Sequence, residues 1–170
     1  MIKISKLRLY FETTTFNYFF DENREGHEDV VKLFEAVKAG EFEGYTSDYV
    51  TDELKKASDP KRSKMLALID EYGLKVLQAK SEIADLGKLY IASGIIPASQ
   101  IYDSLHVACV SVYELDVIIS YNFQHINRNK TKIQTAVVNN KLGYGSISIT
   151  TAKEVLNNDN DEEGNGCAIR

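Results

Sequence analysis

Four side chains in this 170-residue chain carry oxygen donors at places where a fold could gather them: Glu12, Glu53, Asp103 and Asn122. Glu12 directly follows the apolar, aromatic run LRLYF (7–11). Such a run reads as a buried strand, and ligands of open α/β sheets bind at the C-terminal ends of strands. Asn122 comes two residues after DVIIS (116–120), whose continuously apolar centre suits a strand buried on both faces. Asp103 lies near the start of the most apolar helix candidate, a poor place for a charge unless it faces a cleft. Glu53 lies within a helix that follows a strand. Carboxylates gathered at one sheet edge repel each other, and a divalent cation offsets that cost. Hard, oxygen-preferring ions such as Mg²⁺ or Mn²⁺ suit such a set. Spacing along the chain does not by itself bring the four together.

Other chemistries find no support. No Gly-rich turn follows Phe11, which counts against a P-loop or dinucleotide site. Ser and Cys nucleophile motifs are absent, and His27, His106 and His125 are too scattered for a zinc set. Cys109 and Cys167 match no metal or redox spacing, so a cytoplasmic protein is expected. No run approaches the ~18 uncharged apolar residues of a membrane span, and the N-terminus has no sustained apolar stretch of a signal peptide.

The elements that must position these residues alternate along the chain. Strand candidates are 7–11, 42–46, 74–77, 116–120 and 146–150. A helix over 28–39 places Val30, Phe34 and Val37 on one face and stops at Gly40. Ser47 caps a helix through Asp48, Val50, Glu53 and Leu54. Asp59-Pro60 opens a helix, with Pro at its first position, that Gly73 closes. Ser81 opens one with Ile83, Leu86 and Tyr90 inward, ending at Gly94. Ser99 opens the apolar helix, about 99–114, and another lies near 130–142. Thr151 and Glu154 have capping-box spacing for a short last helix. Between 12 and 27 only a polar patch is read. Alternating strands and helices argue a parallel sheet covered on both sides, class α/β.

The length suits about one domain at ~150 residues per domain. That domain is expected over 1–156, followed by a disordered acidic and polar tail over 157–170. The net charge of −5 argues against a nucleic-acid partner at first sight. Four of the acids, Asp159, Asp161, Glu162 and Glu163, sit in that tail, which leaves the domain nearly balanced. Lys55, Lys56, Lys61, Arg62 and Lys64, and again Arg128, Lys130 and Lys132, form basic clusters that read first as solvated helix faces.

The runs LYFETTTFNYFF, TSDYVTDEL, YDSLHVACVSVYELDVIISYNFQHI and ISITTAKEVL, in this order over roughly 7–156, resemble a PIN domain. The resemblance is closest to the VapC-type toxin ribonucleases of type II toxin–antitoxin systems. It implies a three-layer α/β/α sandwich around a mainly parallel sheet, and a Mg²⁺- or Mn²⁺-dependent endoribonuclease leaving a 5′ phosphate and a 3′ hydroxyl. The family's first acid matches Glu12, with Thr13 beside it; the second matches Glu53; the third matches Asp103; the fourth position falls at Asn122, with Ser120 at the preceding hydroxyl. On this resemblance Glu12, Glu53 and Asp103 are catalytic, and Glu12, Asp103 and Asn122 face the metal. Thr13 and Ser120 support them. An RNA substrate, a cognate antitoxin protein and a homodimer are implied partners.

Two positions depart from the family pattern. Glu in place of Asp at position 12 moves the carboxylate by ~1.5 Å, which a rotamer shift absorbs. Asn122 leaves three carboxylates instead of four, so a second metal would be held weakly. These departures motivate an alternative, a catalytically weak or inactive PIN domain acting as a binding or scaffold module. A small nucleotide-binding protein is a third reading. Plainer roles compete at each residue: Glu12 and Asp103 as helix caps, Glu53 as a surface ion-pair partner, His106 as a packed, hydrogen-bonded histidine. Tyr10, Phe11, Phe16, Tyr18, Phe19 and Phe20 read as core and interface residues more than base-stacking ones. Tyr121, Phe123 and His125 stand close enough to the site for an RNA contact to compete with packing.

Overall fold

The computed structural model describes residues 5–157. The sheet grows from β1 (Arg8–Phe11), where Leu9, Tyr10 and Phe11 are all fully buried. Successive strand residues point to opposite faces, so burial of all three means that both faces are covered. Phe11 packs on Phe34 of α2 (His27–Lys38) with ring centroids 4.6 Å apart. Tyr10 points the other way, to His106 of α6 (Ile101–Val112).

The other strands are β2 (Glu43–Ser47), β3 (Lys75–Leu77), β4 (Val117–Ile119) and β5 (Ser148–Thr150). All neighbours pair in parallel, in the order β3-β2-β1-β4-β5. This is the expected α/β architecture. The chain lays β2 and β3 to one side of β1, then reverses and lays β4 and β5 to the other. The reversal leaves a crevice beyond the C-terminal ends of β1 and β4, the switch point at which such sheets bind ligands.

Helices α1 (Thr13–Phe20), α3 (Asp48–Leu54), α4 (Lys61–Glu71), α5 (Ser81–Ala92) and α7 (Asn129–Leu142) complete the layers with α2 and α6. Ser47 caps α3 as its sequence predicts, accepting from Val50 N at 3.4 Å. Pro60 is the residue before α4, so the helix starts one position later than expected, and the Asp59 carboxylate accepts from Ser63 N at 3.1 Å. The apolar helix is shorter than expected, because a 3₁₀ turn at Ala98–Gln100 precedes it. Helical residues run over 152–157. The rest of the expected tail, with Cys167, lies outside the described residues.

Helix α1 corrects the reading of 12–27 as a polar patch. Its sequence, TTTFNYFF, is rich in β-branched and aromatic residues of low helix propensity. Packing decides instead: Phe16 is fully buried and meets Phe34 edge to face. Its N-cap is Glu12, outside the usual capping set.

Candidate active site at the switch point

Glu12 stands where β1 becomes α1 and is 3% exposed. One carboxylate oxygen, Oε1, accepts from Thr14 N at 2.9 Å; the other, Oε2, accepts from Thr14 Oγ1 at 2.7 Å and Ser120 Oγ at 2.5 Å. The plain capping role and a site role therefore coincide in this side chain. Burial pushes its pKa up, against the nearby charge of His106 and these donors. Ser120 follows β4, ties that strand's end to Glu12, and accepts from Asn122 N at 3.0 Å. Asn127 Nδ2 holds the Ser120 carbonyl at 3.0 Å.

Asp103 lies in the first turn of α6, where a helix N-terminus favours negative charge. His125 Nδ1 donates to its Oδ2 at 3.0 Å. Burial raises its pKa, partly offset by the charge of His106, a hydrogen bond from the Asn122 side chain and the charge of His125. Asn122 Oδ1 accepts from His125 N at 3.0 Å. The turn after β4 thus delivers Ser120, Asn122 and His125 together.

Glu53 lies near the end of α3, with its side chain 25% exposed. Its Oε1 accepts from Thr13 Oγ1 at 2.7 Å and from His106 Nε2 at 2.5 Å. Burial pushes the carboxyl up, but the hydrogen bond and charge of His106, then Thr13 and Lys56, leave it below its ordinary value. Burial opposes a charged His106. The hydrogen bond and charge of Glu53, then Glu12 and Asp103, outweigh it and raise the imidazole above the usual histidine value. His106 therefore feels all three acids.

The five supporting and acidic positions expected from sequence, with Asn122, converge on this crevice. Sequence reasoning missed three participants. Thr14 belongs to the helix that was not anticipated. Tyr10 read as core, and it is fully buried, yet its hydroxyl stands 2.7 Å from His106 Nδ1 and 2.7 Å from Ser47 Oγ. His125 was considered for RNA contact, and it pairs with Asp103. His106 is packed and hydrogen-bonded as expected, but its partner is Glu53. The only advance signal was the three-residue spacing of Asp103 and His106, which puts them on one side of a helix.

Open clefts lie along α1, lined by residues other than the three acids. One of about 270 Å³ is lined by Thr14, Asn17, Tyr18, Asp21, Arg24 and Lys61. Another, about 480 Å³, is lined by Tyr18, Arg24, Glu25, Asp29, Tyr121 and Lys153 among others. Tyr18 and Tyr121 stack at 4.1 Å, and Phe123 is 56% exposed.

The oxygen donors are of the class that hard cations take. Among the described residues no three His, Cys, Asp or Glu side chains form a metal-holding group. Glu12, Asp103 and Asn122, two carboxylates and an amide, fall below that count. Both buried acids carry raised pKa values, and a cation would relieve that cost.

No protein-family model matches the sequence, and no curated protein matches it. Solved structures do match the fold. The structure of VapBC2 from Rickettsia felis, bound to a DNA fragment from its promoter, aligns with a TM-score of 0.50 at 12% identity. That alignment covers 69% of this chain and 90% of the other. VapC20 from Mycobacterium tuberculosis, a sarcin–ricin loop cleaving toxin, aligns at 0.47 and 12% identity over 69% of this chain and 92% of its own. The chain has a PIN-like fold: an all-parallel five-stranded sheet flanked by helices. No helix among the described residues is long and apolar enough to cross a membrane.

Proposed function

We propose that this protein is a PIN-type endoribonuclease, dependent on Mg²⁺ or Mn²⁺, that hydrolyses RNA phosphodiester bonds at the crevice between β1 and β4. One observation carries the reading: at the topological switch point Glu12 from the end of β1 is tied to Ser120 after β4, Asp103 of α6 to His125 in the turn after β4, and Glu53 of α3 to His106 of α6. Glu12, Asp103 and Asn122 would hold the ion, which supplies Lewis acidity toward water and the scissile phosphate.

The chain's own residues divide the remaining work. Ser120 and Thr14 orient Glu12. His125 orients Asp103. Glu53 is kept ionised beside His106, and its Oε1 is occupied by two donors. Oε2 is the oxygen left to accept a proton from the attacking water. The reading treats 1–156 as one cytoplasmic domain. It also includes a small antitoxin protein as partner and a homodimer as the working form.

A second reading, a scaffold of the same fold, is favoured by one feature. The buried acids already have hydroxyl, amide and imidazole partners. Cleavage of end-labelled structured RNA by wild type and Asp103→Asn, in Mg²⁺, Mn²⁺ and EDTA, separates the two. Metal-dependent cleavage that Asp103→Asn abolishes supports the nuclease. Cleavage that persists in a nuclease-free preparation of Asp103→Asn defeats the assignment. If neither protein cleaves, a direct Mn²⁺ titration decides, and no measurable affinity favours the scaffold.

A further inference from the structure

A chain of hydrogen bonds that ends on Glu53 joins β1, β2 and α6 and is closed into a circuit by α3. Ser47 ends β2 and caps α3, the helix that carries Glu53. Its Oγ stands 2.7 Å from the Tyr10 hydroxyl on β1. That hydroxyl stands 2.7 Å from His106 Nδ1 on α6, and His106 Nε2 returns to Glu53 Oε1 at 2.5 Å. Ser47, Tyr10 and His106 are fully buried, while the Glu53 side chain is 25% exposed. In a buried polar chain of this kind each donor direction fixes the next. Nε2–H donates to the carboxylate. When the ring is an imidazolium, Nδ1–H donates to Tyr10, and the Tyr10 O–H donates to Ser47. Thr13 Oγ1 holds the same carboxylate oxygen from the α1 side at 2.7 Å.

We infer that His106 is a positioning residue, which clamps Glu53 Oε1 so that Oε2 is presented to the crevice, and that Tyr10 and Ser47 fix the angle of its ring. The inference rests on the nuclease reading above and deepens it. The circuit ties the proton-accepting side chain to the central strand and not to α3 alone. A shift of α3 on its own therefore cannot carry Glu53 away from the other acids.

The test uses the full chain with Tyr10→Phe, an almost isosteric change two bonds from Glu53. A second variant, His106→Gln, keeps a donor toward Glu53 but loses the link to Tyr10. Both are measured for RNA cleavage and by ¹⁵N-edited NMR of the histidine rings without metal. In wild type, an exchange-protected Nε2–H signal is expected for His106, and Glu53→Gln shifts it. Tyr10→Phe should shift the Nδ1 resonance and lower kcat about tenfold with KM little changed. In a Glu53→Gln background the same change should cost less than twofold, because the clamped carboxylate is gone. Unchanged kcat in a folded Tyr10→Phe protein, alongside slowed but measurable cleavage in Glu53→Gln, overturns the positioning role and leaves the nuclease standing. Absence of cleavage in wild type defeats the nuclease reading instead, and the ring signals then decide alone whether the clamp exists: no protected N–H overturns it.

Discussion

Replacing Ser120 by alanine removes one of the three donors that hold the buried Glu12 carboxylate, the other two coming from Thr14. It also takes away the acceptor of Asn122 N. Ser120 is fully buried and Glu12 is 3% exposed, so water does not readily replace the lost group. A hydrogen bond to a charged group is worth about 1.5–3 kcal/mol. At roughly 2–4 °C per kcal/mol for a domain of this size, the melting temperature should fall by roughly 3–12 °C. The loss should depend on pH with a definite sign. Glu12 has a raised pKa in the folded state, so its ionised form costs stability above that pKa and the cost fades as pH falls through it. Removing a donor that favours the charged form raises the pKa further. Ser120→Ala should therefore be most destabilised at about pH 8 and come closer to wild type as pH falls toward the ordinary glutamate value of 4.5. Scanning calorimetry of both proteins at several pH values reads this directly. An equal loss at both ends of the range would refute the claim that Ser120 acts through the Glu12 charge.

Phe34 is fully buried among Phe11, Phe16, Phe19 and Tyr72, so Phe34→Ala should cost about 3–5 kcal/mol in urea unfolding. A loss under about 1 kcal/mol would mean that α1 and α2 do not pack on β1 as described. A Cβ at Gly44 would stand 2.5 Å from Leu74 Cδ2 and 2.7 Å from Val37 Cγ1, so Gly44→Ala should destabilise by about 1–3 kcal/mol despite lying in a strand. Circular dichroism melts would show it, and a neutral result would place that face of β2 away from α2. The raised pKa of His106 predicts stability that is fully present below about pH 6.5, the unfolded histidine value, and is lost as pH rises through the folded one. In metal-free His106→Gln that slope should vanish between about pH 6 and 9, while a slope equal to wild type would assign it to another group.

Much of this protein was settled by local sequence. DVIIS read as a strand buried on both faces because its centre is continuously apolar, and Val117, Ile118 and Ile119 are buried in β4. Ser47 marked the start of α3 because a short hydroxyl side chain reaches an unpaired backbone N–H there. Glu12, Asn122 and Glu53 were legible because each sits just beyond a strand or in the helix that follows one, and Asp103 because it is a charge near the start of an apolar helix. Tertiary structure decided what propensity could not. Helix α1 forms because Phe16 finds a buried place against Phe34, against the preference of its own residues. The partners of the acids were equally out of reach. Glu53 and His106 are 53 positions apart, Asp103 and His125 are 22 apart, and Glu12 and Ser120 are 108 apart. Periodicity reports which face of an element is buried. Which buried polar groups meet across elements depends on strand order and register, and these are set only when the sheet assembles.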